Sequence, residues 1–147
     1  MLNDGDLFEI FKRRPLHGQV FRYKGNPPFE SAGYHVFIVV VHEECTNTLF
    51  MVNGTSSIEK RLDALFKQSI HTDSTTVKIN AGKYDFFPRE TLFDCNSVSE
   101  IRLSALNPDD FKYVHNGKMK PEDLQLIKEA IIKSRLVSER VKEAIRN

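Results

Sequence analysis

At 147 residues, 40% hydrophobic and 28% charged, the chain has the make-up of one globular domain, long enough to bury about two-thirds of its unfolded surface without staples. Lys and Arg number 21 against 20 Asp and Glu, a formal net charge of +1, so affinity for a polyanion must come from local clustering rather than overall charge. Cys45 and Cys95 are too few for a disulfide framework, and with an acidic, polar start unlike a signal peptide and no apolar run longer than residues 36–41, they predict a soluble, cytoplasmic protein.

Residues 7–14 have the pattern of one or two helical turns, stopped by Pro15. Roughly alternating residues 17–23 predict a half-buried strand. Residues 25–33, with two glycines and two prolines, predict a loop. Residues 34–42 are β-branched and apolar on both faces, as in a central strand. A polar turn over 43–47 and a return strand over 48–53 complete a hairpin.

Ser56 and Glu59 have capping-box spacing before an apolar stripe of Ile58, Leu62, Leu65 and Phe66. Further strands are expected at 75–79, 91–95 and 98–103. Asn107-Pro-Asp-Asp reads as a turn or helix start, and Gly117 as the end of that irregular region. Pro121, with Glu122 and Asp123 in the first turn, opens a helix over 121–146. Its apolar face is Leu124, Ile127, Ile131, Val137, Val141 and Ile145. Unbroken, it would reach about 35 Å and overhang a small barrel. Strands at regular spacing with helices at the ends predict an α+β fold in a single domain spanning 1–147: a small antiparallel β-barrel closed by a long C-terminal helix.

Chemistry-bearing residues fall in three places. His35 opens the central strand directly after the Gly/Pro-rich loop, where an imidazole can act as general acid or base; the plain alternative is a partly exposed strand-end histidine. Gly54-Thr55-Ser56-Ser57 joins a strand to a helix, where hydroxyls and free amides can receive a phosphate oxygen; a simple N-cap would look the same. Lys60 and Arg61, next to these hydroxyls, and Arg22 are candidate phosphate contacts. His42-Glu-Glu-Cys45 lacks a second pair at zinc spacing, so no metal site is expected. No Walker loop, G-x-S-x-G elbow or HExxH helix is present. Cys95 reads as a buried structural thiol. The C-terminal basic residues read as a solvated face, and the absence of aromatics there weakens a base-stacking role.

In order, these segments resemble the MazF/PemK family of toxin endoribonucleases. Gly18-Gln-Val-Phe-Arg22 resembles the family's opening strand, and Ala32-Gly-Tyr-His-Val-Phe-Ile-Val-Val40 the strand after its first loop. Val52-Asn-Gly-Thr-Ser-Ser57 resembles the strand end that bears a catalytic-site Thr or Ser. Asp94-Cys-Asn-Ser-Val-Ser-Glu-Ile101 resembles a late strand usually written with Asp-Gln-Val. The most specific match is 117–128, which resembles the family's glycine, Pro-Glu-Glu-Leu and helix. The resemblance runs from about His17 to the helix end, and leaves the N-terminal segment and residues 67–74 unexplained.

The resemblance implies an SH3-like barrel that dimerises and cuts single-stranded RNA without metal or other cofactor. The nucleotide's own 2′-hydroxyl attacks phosphorus, so the protein supplies an acid/base and charge stabilisation. Carried over, His35 falls where the family keeps an arginine, Thr55 or Ser56 on its hydroxyl position, and Asn96 or Ser97 near its aspartate. The expected function is a toxin-like endoribonuclease, with His35, Thr55 and Ser56 catalytic and Arg22, Ser57, Lys60 and Arg61 binding RNA. The alternative is a catalytically silent binding module or regulator. Expected partners are a second copy of the chain, meeting through exposed apolar residues such as Phe29 and Tyr34, and an acidic antitoxin segment drawn to the basic residues of 128–146.

Overall fold

Apolar, β-branched residues concentrate in the hairpin at the centre of the protein. A computed structural model describes residues 2–13, 17–24, 33–70 and 72–147. In it β2 (His35–Glu43) and β3 (Thr48–Thr55) pair antiparallel, with Val36 opposite Gly54 and His42 opposite Leu49. Asn47 closes their turn at φ 53°, a left-handed conformation that asparagine tolerates better than most residues. β1 (Gln19–Tyr23) pairs with the free edge of β2, and β7 (Phe111–Lys118) lies outside β1. The other edge of β3 is shared. β6 (Ser99–Arg102) pairs with its start and β5 (Thr91–Asp94) with its end, while β4 (Thr76–Ile79) adds to β5.

The result is one seven-stranded antiparallel sheet of order β4-β5-β3-β2-β1-β7, with β6 also on β3. The α+β class holds, but among the described residues β4 and β7 do not pair with each other, so the sheet is not closed into a barrel. Residues 25–33 fall largely outside the described residues, as do Pro15 and Phe29.

The sheet is covered on both faces, which is why the middle of β2, Val36 to Val41, is apolar throughout. On one face α1 (Asp4–Arg13) lays Phe8 and Phe11 over Phe21 and Phe111, with ring centroids 5.0 Å apart for Phe8–Phe111 and 5.1 Å for Phe11–Phe21. On the other, Val20, Ile38, Phe50 and Val52 pack beneath the C-terminal helices. No helix among the described residues is long and apolar enough to cross a membrane.

The expected helix over 121–146 is corrected to two: α3 (Pro121–Lys133) and α4 (Glu139–Arg146). The break has a chemical cause. Ser134 is fully buried; its hydroxyl donates to Asn96 Oδ1 at 2.8 Å and accepts from the Leu136 amide at 3.2 Å. Ser138 then caps α4, its Oγ accepting from the Val141 amide at 3.3 Å. The turn brings Val137, Val141 and Ile145 back onto the core, so the apolar face does not overhang. Two smaller corrections concern β7, a strand where the sequence suggested irregular chain, and α2 (Ile58–Lys67). The latter has Ser57 at its N-cap position, without a side-chain cap bond, rather than Ser56 in a capping box.

Candidate functional site

Strand register gathers the predicted site. Tyr23, at the end of β1, stands opposite His35 at the start of β2. One row inward, Val36 stands opposite Arg22 on one side and Gly54 on the other. Thr55 ends β3 directly after Gly54. Residues that are far apart in sequence therefore come together at one end of the sheet. They line a cleft of about 460 Å³ formed by Arg22, Tyr34, His35, Gly54, Thr55, Ser56 and Ser57, with Phe86, Pro88 and Arg89 opposite.

Gly54 shapes the floor. A Cβ there would lie 2.6 Å from Cε1 of the buried Phe93 ring and 3.0 Å from Thr91 Cγ2, closer than real contacts allow. The Phe93 ring therefore packs directly against the β3 backbone, and the ladder of Phe93, Phe87 and Phe86 rings carries the floor into the opposite wall. The strand-to-helix link is set by Thr55, whose Oγ1 accepts from the Ser57 amide at 3.1 Å. Ser57 makes no side-chain cap bond to α2, and both Ser56 and Ser57 are exposed at the cleft.

A second hollow of about 360 Å³ adjoins the cleft through Thr55 and Ser57, and is lined also by Lys60 and Arg61 on the first turns of α2. The Arg61 guanidinium lies 3.8 Å from the Asp94 carboxylate, which itself accepts from the Asn96 amide. Arg61 is thus partly balanced, while Arg22, Lys60 and Arg89 form no ion pair with a carboxylate of the described residues.

His35 is half-buried, and its pKa is lowered by that burial and then by the Arg61 charge. At neutral pH it is therefore the neutral imidazole, able to accept a proton. Chemically, the cleft combines a base, hydroxyl groups and guanidinium groups around a space of nucleotide size.

The structure thus brings Arg22, His35, Thr55, Ser56 and Ser57 into one cleft and leaves Lys60 and Arg61 one hollow away. Sequence reasoning missed Arg89 and Phe86. Their one signal is the run Phe86-Phe87-Pro88-Arg89, which sets a cation two residues after a pair of aromatics. Asn96 is not in the cleft: it is buried, bonded to Thr75 Oγ1, Asp94 and Ser134. Cys95 is a buried thiol with its pKa pushed up to about 12 by burial and by Asp94, unsuited to act as a nucleophile. Among the described residues no three His, Cys, Asp or Glu side chains are grouped to hold a metal. A scan against protein-family models and a search of curated proteins both give no match for this chain.

Proposed function

We propose that the cleft binds single-stranded RNA and cleaves it without metal, as a toxin-type endoribonuclease of the MazF/PemK kind. The observation that carries this reading is the meeting of His35, Arg22, Thr55, Ser56 and Arg89 around one cleft, from four separate stretches of chain. The neutral His35 imidazole takes the proton of the RNA 2′-hydroxyl as that oxygen attacks phosphorus. The products are a 2′,3′-cyclic phosphate and a chain with a 5′-hydroxyl, whose oxygen takes up a proton from water on leaving. Arg22 and Arg89 stabilise the charge that builds on the phosphorane oxygens, with the Thr55 and Ser56 hydroxyls as donors. Where the resembled family keeps an arginine this chain has His35, and Arg22 and Arg89 supply fixed cations in its stead.

In this reading the sheet is an open variant of the family's SH3-like barrel, supported by the sharing of β3 between β5 and β6. The protein acts in the cytoplasm as a homodimer and is held inactive by an acidic antitoxin segment. The second reading, a silent binding module, is favoured by the same histidine, since an imidazole without its proton leaves phosphate binding to neighbouring cations. Incubation of unstructured RNA with the purified protein and excess chelator separates the two. The proposal expects cyclic-phosphate and 5′-hydroxyl ends; intact RNA bound at micromolar protein points to the module.

A further inference from the structure

A like-charged pair sits beside the cleft with no carboxylate of the described residues to balance it. Arg22 on β1 and Lys112 on β7 are direct cross-strand partners, so their side chains leave the sheet from the same face about 5 Å apart, an arrangement that costs stability. Lys24, two residues beyond Arg22, adds a third cation. The ammonium groups of Lys24 and Lys112 both lie against the half-exposed Tyr34 ring, at 5.1 and 4.9 Å from its centroid. The ring's negative face is what holds them together. None of the three cations is within ion-pair distance of a carboxylate of the described residues. The neighbouring Asp110, whose backbone carbonyl accepts from the Lys24 amide, acts on the Tyr23 hydroxyl, which burial first and then the Asp110 charge push to a higher pKa. Arg22 and Tyr34 also line the cleft, so the patch continues its mouth.

We propose that Lys24 and Lys112, held on the Tyr34 ring, form a binding site for the phosphodiester backbone of single-stranded RNA, holding nucleotides that flank the one in the cleft, with Arg22 at the junction between the two. The inference rests on the RNA reading above and extends it outward from the cleaved bond. An anionic ligand explains why the fold keeps two cations opposite each other: the repulsion in the free protein is relieved when phosphates lie between them. The Tyr34 ring restrains the lysines, lowering the entropy lost when they bind.

The test exploits that repulsion. Lys112→Glu replaces a like-charged cross-strand pair with an opposite one, so it should raise the melting temperature by about a degree or two. It should at the same time weaken binding of an unstructured 12-nucleotide RNA by about tenfold or more. Both are measured in a His35→Ala background, where the RNA is not cut, by fluorescence anisotropy across a salt series. The slope of log affinity against log salt should shrink by about 0.7 for each phosphate that the variant no longer neutralises. Lys24→Gln, which makes no new ion pair, should shrink the slope by about the amount that one phosphate contributes. Unchanged affinity and slope in both variants would overturn the site, as would failure of the His35→Ala protein itself to bind RNA. If the wild type proves unable to cleave RNA but the variants still weaken salt-dependent binding, the flanking site stands and the nuclease reading falls.

Discussion

The Tyr84 hydroxyl donates to the buried Asp123 carboxylate, tying the loop that walls the cleft to the first turn of α3. The same hydroxyl accepts from the Lys120 amide at 3.0 Å, and Lys83 Nζ reaches the other carboxylate oxygen at 2.9 Å. An acidic side chain at this helix start also complements the macrodipole. Removal of the hydroxyl in Tyr84→Phe should cost about 1–2 kcal/mol, and Asp123→Ala about 2–3 kcal/mol because it strands both donors. Lys83 is 40% exposed and can rehydrate, which keeps the second figure below that of a fully buried pair. Thermal denaturation of the two variants checks the order.

The same hydrogen bond predicts how stability depends on pH. Burial alone would raise the Asp123 pKa, but the bonds from Tyr84 and Lys83 and the nearby lysine charges outweigh it, and the net shift is downward. The unfolded carboxyl then binds more protons than the folded one, so this stabilisation is present above about pH 4 and is lost as pH falls through the lower folded value. Tyr84 has its pKa raised to about 12 by burial and then by Asp123; its contribution is present below about pH 10 and is lost as pH rises toward 12. Asp123→Asn should flatten the acid limb of a stability profile, and Tyr84→Phe the alkaline limb.

Gly54→Ala tests the cleft floor. The added methyl would meet the Phe93 ring at 2.6 Å, in a core where Phe93 is fully buried, so the ring or the strand must move. A loss of about 1–3 kcal/mol is expected, seen as a melting temperature lowered by several degrees. RNA binding should weaken with it, since the floor shifts beneath Thr55.

Much of this architecture was legible in the sequence. The β2–β3 hairpin was, because continuous apolar residues flank a polar turn, and so were β4, β5 and β6. Strand β7 was not: Lys112, Tyr113, His115, Asn116 and Lys118 are mostly solvent-facing, so an edge strand carried little apolar alternation. The break between α3 and α4 left a trace that the helical face obscured. Leu124, Ile127 and Ile131 recur at three and four residues, but the next apolar position on that face, Val137, lies six further on. The intervening place belongs to Ser134, a polar residue buried by its bond to Asn96. Of the site, strand-end and strand-to-helix positions were readable because local sequence creates them. Arg89 was not, since only the packing of the Phe86–Phe87 turn against Phe93 brings it to the cleft.

The histidine's surroundings predict a pH profile. Burial and then Arg61 lower the His35 pKa, so cleavage that needs its neutral form should be constant near neutrality and fall only in acid, below about pH 6.5. Arg61→Gln removes the second cause and should move the acid limb upward, toward the ordinary imidazole value. Single-turnover cleavage measured from pH 5 to 8 would show the displacement.

In the proposed reaction His35 removes a proton in a metal-free RNA cleavage. The most direct measurement is the single-turnover cleavage rate of an unstructured RNA by wild-type protein and by His35→Ala, both in excess chelator at pH 7, with melting temperatures recorded alongside. Cyclic-phosphate products are expected from the wild type, with a rate lower by about 100-fold or more in the variant and nearly equal melting temperatures. Equal rates in the two proteins, or no cleavage by the wild type, would contradict the proposed reaction.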